Sequence, residues 1–265
     1  MPQLSAISLE HFANKAWKKS SGYFFAAQKN LISVVAAELP HLIPVMPLAF
    51  VRSGSGFELV AICSLEPNVN LYIAPDGHWL GGYIPATLRG HPFSLVKVEG
   101  REDSVLCIDE ESGAIVAAGQ GESFFDASGA PTKAVTDILD FLSQIERNRQ
   151  ATQMAVEALR VAGLMQPWQI NLQKEGRAVA VDGLFRVDEV AMNALPDEDF
   201  LKLRASGALA VAYSQLLSTA QLSALERLAQ IQDQLKAQAA AQIMAPSGLE
   251  GLNLFQDNGT ITFTY

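Results

Sequence analysis

A chain of 265 residues, 49% hydrophobic and 18% charged, has apolar material for one large domain or two packed lobes and is too apolar for global disorder. Its 19 basic and 28 acidic residues give a net charge of -9 and an isoelectric point near 4.9. That balance opposes attraction to phosphate backbones and anionic lipid, so nucleic acid is not an expected partner.

Met1-Pro2-Gln3-Leu4 leads into Glu10, His11, Asn14 and Lys15 without the basic start and apolar run of a signal peptide. The longest apolar run, Leu42 to Val51, contains two prolines and is about half the roughly 20 residues of a membrane helix. The expectation is a cytoplasmic protein without a membrane span. Cys63 and Cys107 each sit in an apolar, strand-like run and are expected as buried free thiols, the alternative being one bridge between neighbouring strands.

Residues 1–22, with Lys15, Lys18 and Lys19 around Trp17, read as a weakly ordered arm, either solvated or touching a partner. Tyr23 to Ala27 and Ile32 to Val35 have the aromatic and β-branched content of strands. Glu38 to Met46 and Pro47 contain three prolines, which predicts an extended or turning connection. Leu48 to Val51 and Phe57 to Leu65 are expected to pair antiparallel across Arg52-Ser53-Gly54-Ser55-Gly56. Asn70 to Ala74 reads as a strand running into the turn Pro75-Asp76-Gly77. Phe93 to Val98 and Ser104 to Ile108 follow as strands around a polar loop at 99–103.

Asp109-Glu110-Glu111-Ser112-Gly113 lacks the alternating ligands of a calcium loop, and Gly119-Gln120-Gly121-Glu122-Ser123 lacks the lysine of a phosphate-binding loop; both read as turns. Val135, Ile138, Leu139, Leu142 and Ile145 recur at helical spacing. The helix is expected to break at the polar stretch Glu146 to Gln150, resume at Thr152 and stop at Gly163. Trp168 to Leu172 and Arg177 to Val181 predict a hairpin, within 168–182, followed by a short strand at Leu184 to Val187. Three short helices then run from Asp188 to Leu217. A long helix over 219–243 carries Leu222, Leu225, Leu228, Ile231 and Leu235, a stripe for its own domain, a homodimer or a protein partner. Gly259 to Tyr265 alternates as a strand.

These elements predict an α+β fold in which a strand-rich antiparallel lobe at 23–130 packs against a mainly helical lobe at 131–265 that contains a β-hairpin. The segment Asp76 to Phe93 stands out, gathering four glycines, two prolines, Trp79, Tyr83, Phe93, Arg89, His78 and His91 in eighteen residues. Two readings stand: a tight corner whose aromatics fill the core, or the wall of a ligand site with Arg89 as a fork for a carboxylate. The ligand-binding candidates are therefore His78, Trp79, Tyr83, Arg89, His91 and Phe93. No metal or cofactor is expected, because two histidines thirteen residues apart lack a third ligand and no complete catalytic or nucleotide motif is present.

Trp79-Leu80-Gly81-Gly82-Tyr83-Ile84-Pro85, Arg89-Gly90-His91-Pro92-Phe93, Leu106 to Glu110, Phe125-Asp126, Gly163-Leu164 with Pro167-Trp168, and Gly183 to Glu189 together resemble the bacterial SapC family, over roughly residues 20 to 220. The resemblance carries no assigned catalytic residue. The family name implies an association with surface-layer production, and its genes neighbour those of outer-membrane receptors and halogenase-like flavoenzymes. A non-enzymatic binding or accessory protein that holds a small molecule or peptide is the leading expectation. A surface-layer assembly component and an accessory enzyme working with a halogenase-like partner are the alternatives.

Overall fold

The computed structural model describes residues 3–98, 104–174 and 177–244. The fold is α+β, with antiparallel sheets in the N-terminal half and helices towards the C-terminus. The strands are β1 (Leu4–Ala6), β2 (Lys15–Trp17), β3 (Leu31–Ser33), β4 (Leu48–Ser53), β5 (Gly56–Ile62), β6 (Phe93–Lys97), β7 (Ser104–Asp109), β8 (Ile115–Ala117), β9 (Glu122–Ser123), β10 (Met165–Pro167), β11 (Ile170–Lys174), β12 (Arg177–Val181) and β13 (Leu184–Val187). The helices are α1 (Leu9–Phe12), α2 (Leu39–Leu42), α3 (Ala86–Arg89), α4 (Lys133–Val161), α5 (Glu189–Asn193), α6 (Asp197–Ala205), α7 (Ala208–Ser218) and α8 (Leu222–Met244).

The hairpin β4–β5 forms as the residue pattern predicts, with Gly54 at φ +57°. Its strands run longer than expected, pairing Ser53 with Gly56 and leaving only Gly54 and Ser55 as the turn. This hairpin is the centre of a five-stranded sheet in the order β10-β13-β4-β5-β3. Strands from both halves of the chain thus share one sheet, through the pairing of Leu184 with Val51 and Phe185 with Phe50.

Two hydrophobic cores lie under one helix. The first holds Phe50, Leu59, Ile62 and Met46 with Ala155, Val156 and Leu159 of α4. The second holds Phe12, Trp17, Phe93, Ile108, Phe124 and Val135, with Ile138, Leu139 and Leu142 of α4 packed against it. At about 1.5 Å per residue, the 29 residues of α4 extend roughly 43 Å, enough to cover both. The expected break at Glu146 to Gln150 does not occur. Arg149 makes a two-pronged contact with Glu146 (2.7 Å on each prong), and Gln150 donates to the same carboxylate, so the polar stretch stabilises the exposed side of the helix. Gly163 ends it in the left-handed region at φ +72°.

Several local expectations are corrected. Residues 4–17 are not a weakly ordered arm: β1 pairs with β7, β2 lies between β8 and β9, and Phe12 and Ala16 are fully buried. The apolar side chains of this segment complete the second core, which the rest of the chain leaves open. Phe24–Ala26 is a tight 3₁₀ turn instead of a strand. Within the proline-rich connection, Leu39–Leu42 forms a short helix, since Pro40 occupies a first-turn position where no amide is required. Asn70 to Ala74 contributes only an isolated bridge, Ile73 to Trp79.

The hairpin β11–β12 and strand β13 form as expected. Helix α8 packs on its own chain through Leu225, Leu228 and Gln232, while Ile231 remains exposed. Cys63 and Cys107 are buried free thiols. The loop at 99–103, the turn residues 175–176 and the alternating segment 259–265 lie outside the described residues.

Candidate functional site

The stretch from Asp76 to Phe93 is held at both ends by backbone bonds. Leu80 N–H donates to the Tyr72 carbonyl (2.7 Å) and Tyr23 N–H to the Gly77 carbonyl (2.8 Å). Gly81 is required by close approach, because a Cβ there would lie 2.7 Å from the Tyr72 ring and 2.8 Å from Trp79 Nε1. Trp79 consequently stacks on Tyr72, with centroids 5.2 Å apart and planes 19° from parallel, and its indole N–H donates to the Tyr83 carbonyl (2.8 Å). Tyr23 meets Trp79 edge-on at 5.9 Å.

Next along the chain is a polar group that the residue pattern did not disclose. Glu38 is buried, at 4% exposure, yet its carboxylate is satisfied. Oε2 accepts from Val35 N–H (3.1 Å), and Oε1 accepts from Ala86 N–H (2.6 Å) and from the Tyr83 hydroxyl (3.0 Å). A buried carboxylate is tolerated only with such donors, and these three tie the 3₁₀ turn at Ala36–Glu38 to the start of α3. Arg89, at the end of α3, donates from Nη2 to the Tyr83 hydroxyl (3.1 Å). Its guanidinium also lies over the Tyr83 ring (5.5 Å) and the Phe141 ring of α4 (5.2 Å). The sequence Arg89 to Tyr83 to Glu38 is therefore a directed chain, in which the phenol accepts from the cation and donates to the carboxylate. Burial and the Glu38 charge raise the Tyr83 pKa, and Arg89 opposes them, so the phenol keeps its proton at neutral pH. His41 stacks on the other aromatic contact of Tyr83, at 5.1 Å and 12°.

The six residues singled out in the sequence do not form one cluster. Trp79 and Tyr83 adjoin through the indole bond, and Tyr83 carries Arg89. His91 stacks face to face on Phe25, 3.6 Å between centroids, and half-burial lowers its pKa, with Lys29 acting in the same direction and Asp109 against it. His78 is exposed and contacts only Asp76 (3.1 Å) among its recorded ion pairs. Phe93 belongs to the second core, edge-on to Trp17 at 4.8 Å. The position of Phe93 follows from strand alternation: it faces inwards on β6 opposite Ile108.

Tyr72, His41, Phe141 and above all Glu38 were missed. The one available signal for Glu38 was a lone charge between the apolar Val34-Val35-Ala36-Ala37 and Leu39. Two hollows, of about 290 Å³ beside Asn30 and Ser64 and about 600 Å³ between α4 and α6, are lined by other residues, so Arg89 presents its charge on an exposed face. Among the described residues, no group of three or more His, Cys, Asp or Glu side chains is arranged to hold a metal ion, and no helix is long and apolar enough to cross a membrane.

Compared with known proteins, the chain matches the family model described as SapC over residues 7–225. No curated protein and no solved structure matches it. With the match spanning most of its length, the chain belongs to the SapC family.

Proposed function

We propose that the protein is a non-enzymatic binding or accessory protein whose Arg89 face holds the carboxylate of a small molecule or of a peptide end. The observation that carries this reading is the guanidinium of Arg89. Two aromatic rings and one phenol fix its plane, yet it pairs with no carboxylate among the described residues. A cation restrained in this way loses little side-chain freedom when it engages a two-oxygen acceptor. The half-buried Trp79 and Tyr83 beside it offer apolar contact to the rest of a ligand.

The nucleophiles nearest to hand support a binding role over catalysis. Burial raises the pKa of both Cys63 and Cys107, which keeps them as thiols at neutral pH. The test compares peptides with free and amidated C-termini, and aromatic carboxylates with their amides, by calorimetry on the wild type and Arg89→Ala. Loss of the charge-assisted pair is expected to weaken the free-acid ligands about tenfold or more, without affecting the amides. Equal affinity of the two proteins for every acid would refute the reading.

A further inference from the structure

The basic segment around Trp17 takes no part in the Arg89 face. Lys18 and Lys19 follow directly from β2, and together with Trp17, Gly121, Glu122 and Ala134 they line a hollow of about 620 Å³. Ala134 places this hollow at the N-terminal end of α4, the long helix that spans both cores.

That helix end is uncompensated. Thr132 stands at the N-cap but spends its hydroxyl on the Ser123 carbonyl (2.8 Å) and caps nothing. The first turn contains no acidic side chain. The amides of Lys133, Ala134 and Val135 have no acceptor among the described residues. Free amides at the positive end of a helix dipole suit an oxyanion.

A second, independent feature lies in the same wall. Trp17 is nine-tenths buried, and its indole N–H has no hydrogen-bond acceptor. Buried donors are rarely left unpaired, so an orphan in the lining of a basic hollow asks for an acceptor from outside the chain. Gly121 keeps the strands close here, since a Cβ at that position would overlap the Trp17 carbonyl. Two charges work against an anion: Glu122 faces the hollow, and Lys133 is already paired with Asp137 (2.7 Å). Lys18 and Lys19 together outweigh Glu122.

We propose that the N-terminal end of α4, with Lys18, Lys19 and the Trp17 indole, is a binding site for the phosphate group of a small soluble molecule. Several amides and two ammonium groups match a multiply charged tetrahedral anion better than a planar carboxylate, and the hollow is large enough to leave room for an organic substituent.

The experiment is a titration of the ¹⁵N-labelled full chain with inorganic phosphate and with glycerol 3-phosphate at low ionic strength, chloride serving as control. Trp17→Phe assigns the indole resonance. Both ligands are expected to move the Trp17 indole and the Ala134 and Gly121 amides saturably. Lys18→Ala and Lys19→Ala should each weaken binding about fivefold, and Glu122→Gln should strengthen it by a similar factor. Added salt should weaken it further. The proposal is overturned if neither ligand moves these resonances saturably, or if the lysine variants bind as the wild type does. Sedimentation with phosphatidic acid vesicles, in the absence of any response to the two soluble ligands, would overturn it in favour of a membrane surface.

Discussion

Glu38→Ala removes the one acceptor shared by Val35 N–H, Ala86 N–H and the Tyr83 hydroxyl, at a residue only 4% exposed. The phenol is half-buried and can turn to water, so its loss is small. The two backbone donors cannot move, and each unpaired buried amide costs about 1–3 kcal/mol. Eliminating the burial of a carboxylate returns part of this. A net loss of about 3 kcal/mol follows, which for a chain of this size corresponds to a fall in Tm of roughly 6–12 °C. Urea unfolding followed by far-UV circular dichroism measures the change as a shift in midpoint at constant slope. Glu38→Gln retains one acceptor oxygen and is expected to lose about half as much. If Glu38→Ala falls within about 1 kcal/mol of the wild type, or if the alanine and glutamine variants are equal, the carboxylate is not the anchor described here.

Two further predictions concern the same region. Gly81→Ala forces a methyl group against the Tyr72 ring and the Trp79 indole, two rigid neighbours, and is expected to destabilise by about 1–3 kcal/mol and to change the near-ultraviolet dichroism of the stack; an unperturbed aromatic spectrum would contradict this. His91 has a folded pKa below its ordinary value of 6.5, so the unfolded chain binds its proton first as pH falls. Its contribution to stability is full above about pH 6.5 and is lost as pH drops towards the lower folded pKa, so His91→Asn should flatten the stability profile between about pH 7 and 5.

Much of the fold was legible where it depends on neighbours in sequence. The β4–β5 and β11–β12 hairpins, the periodicity of α4 and its stop at Gly163 all follow from local residue pattern. What was not legible depends on distant partners. Trp17 and Phe12 look like arm residues until the second core is assembled around them, and the pairing of β13 with β4 joins residues more than 130 apart in sequence. The same limit applied at the site. Arg89, Tyr83 and Trp79 announce themselves by density of chemistry within a short stretch. Glu38 lies 45 residues from Tyr83 and sits in a proline-punctuated connection, and Phe141 faces Arg89 only because α3 abuts α4. Phe93 was grouped with its sequence neighbours, whereas strand alternation turns it into the other core.

The claim at the centre of this account is that Arg89 is a held, unpaired cation awaiting a carboxylate. Native mass spectrometry after incubation with a total small-molecule and peptide extract tests it most directly, comparing the wild type with Arg89→Ala. The wild type is predicted to retain at least one carboxylate-bearing species that the variant, folded equally well by circular dichroism, does not. Retention of the same species by both proteins would contradict the claim, as would the absence of any retained carboxylate in the wild type.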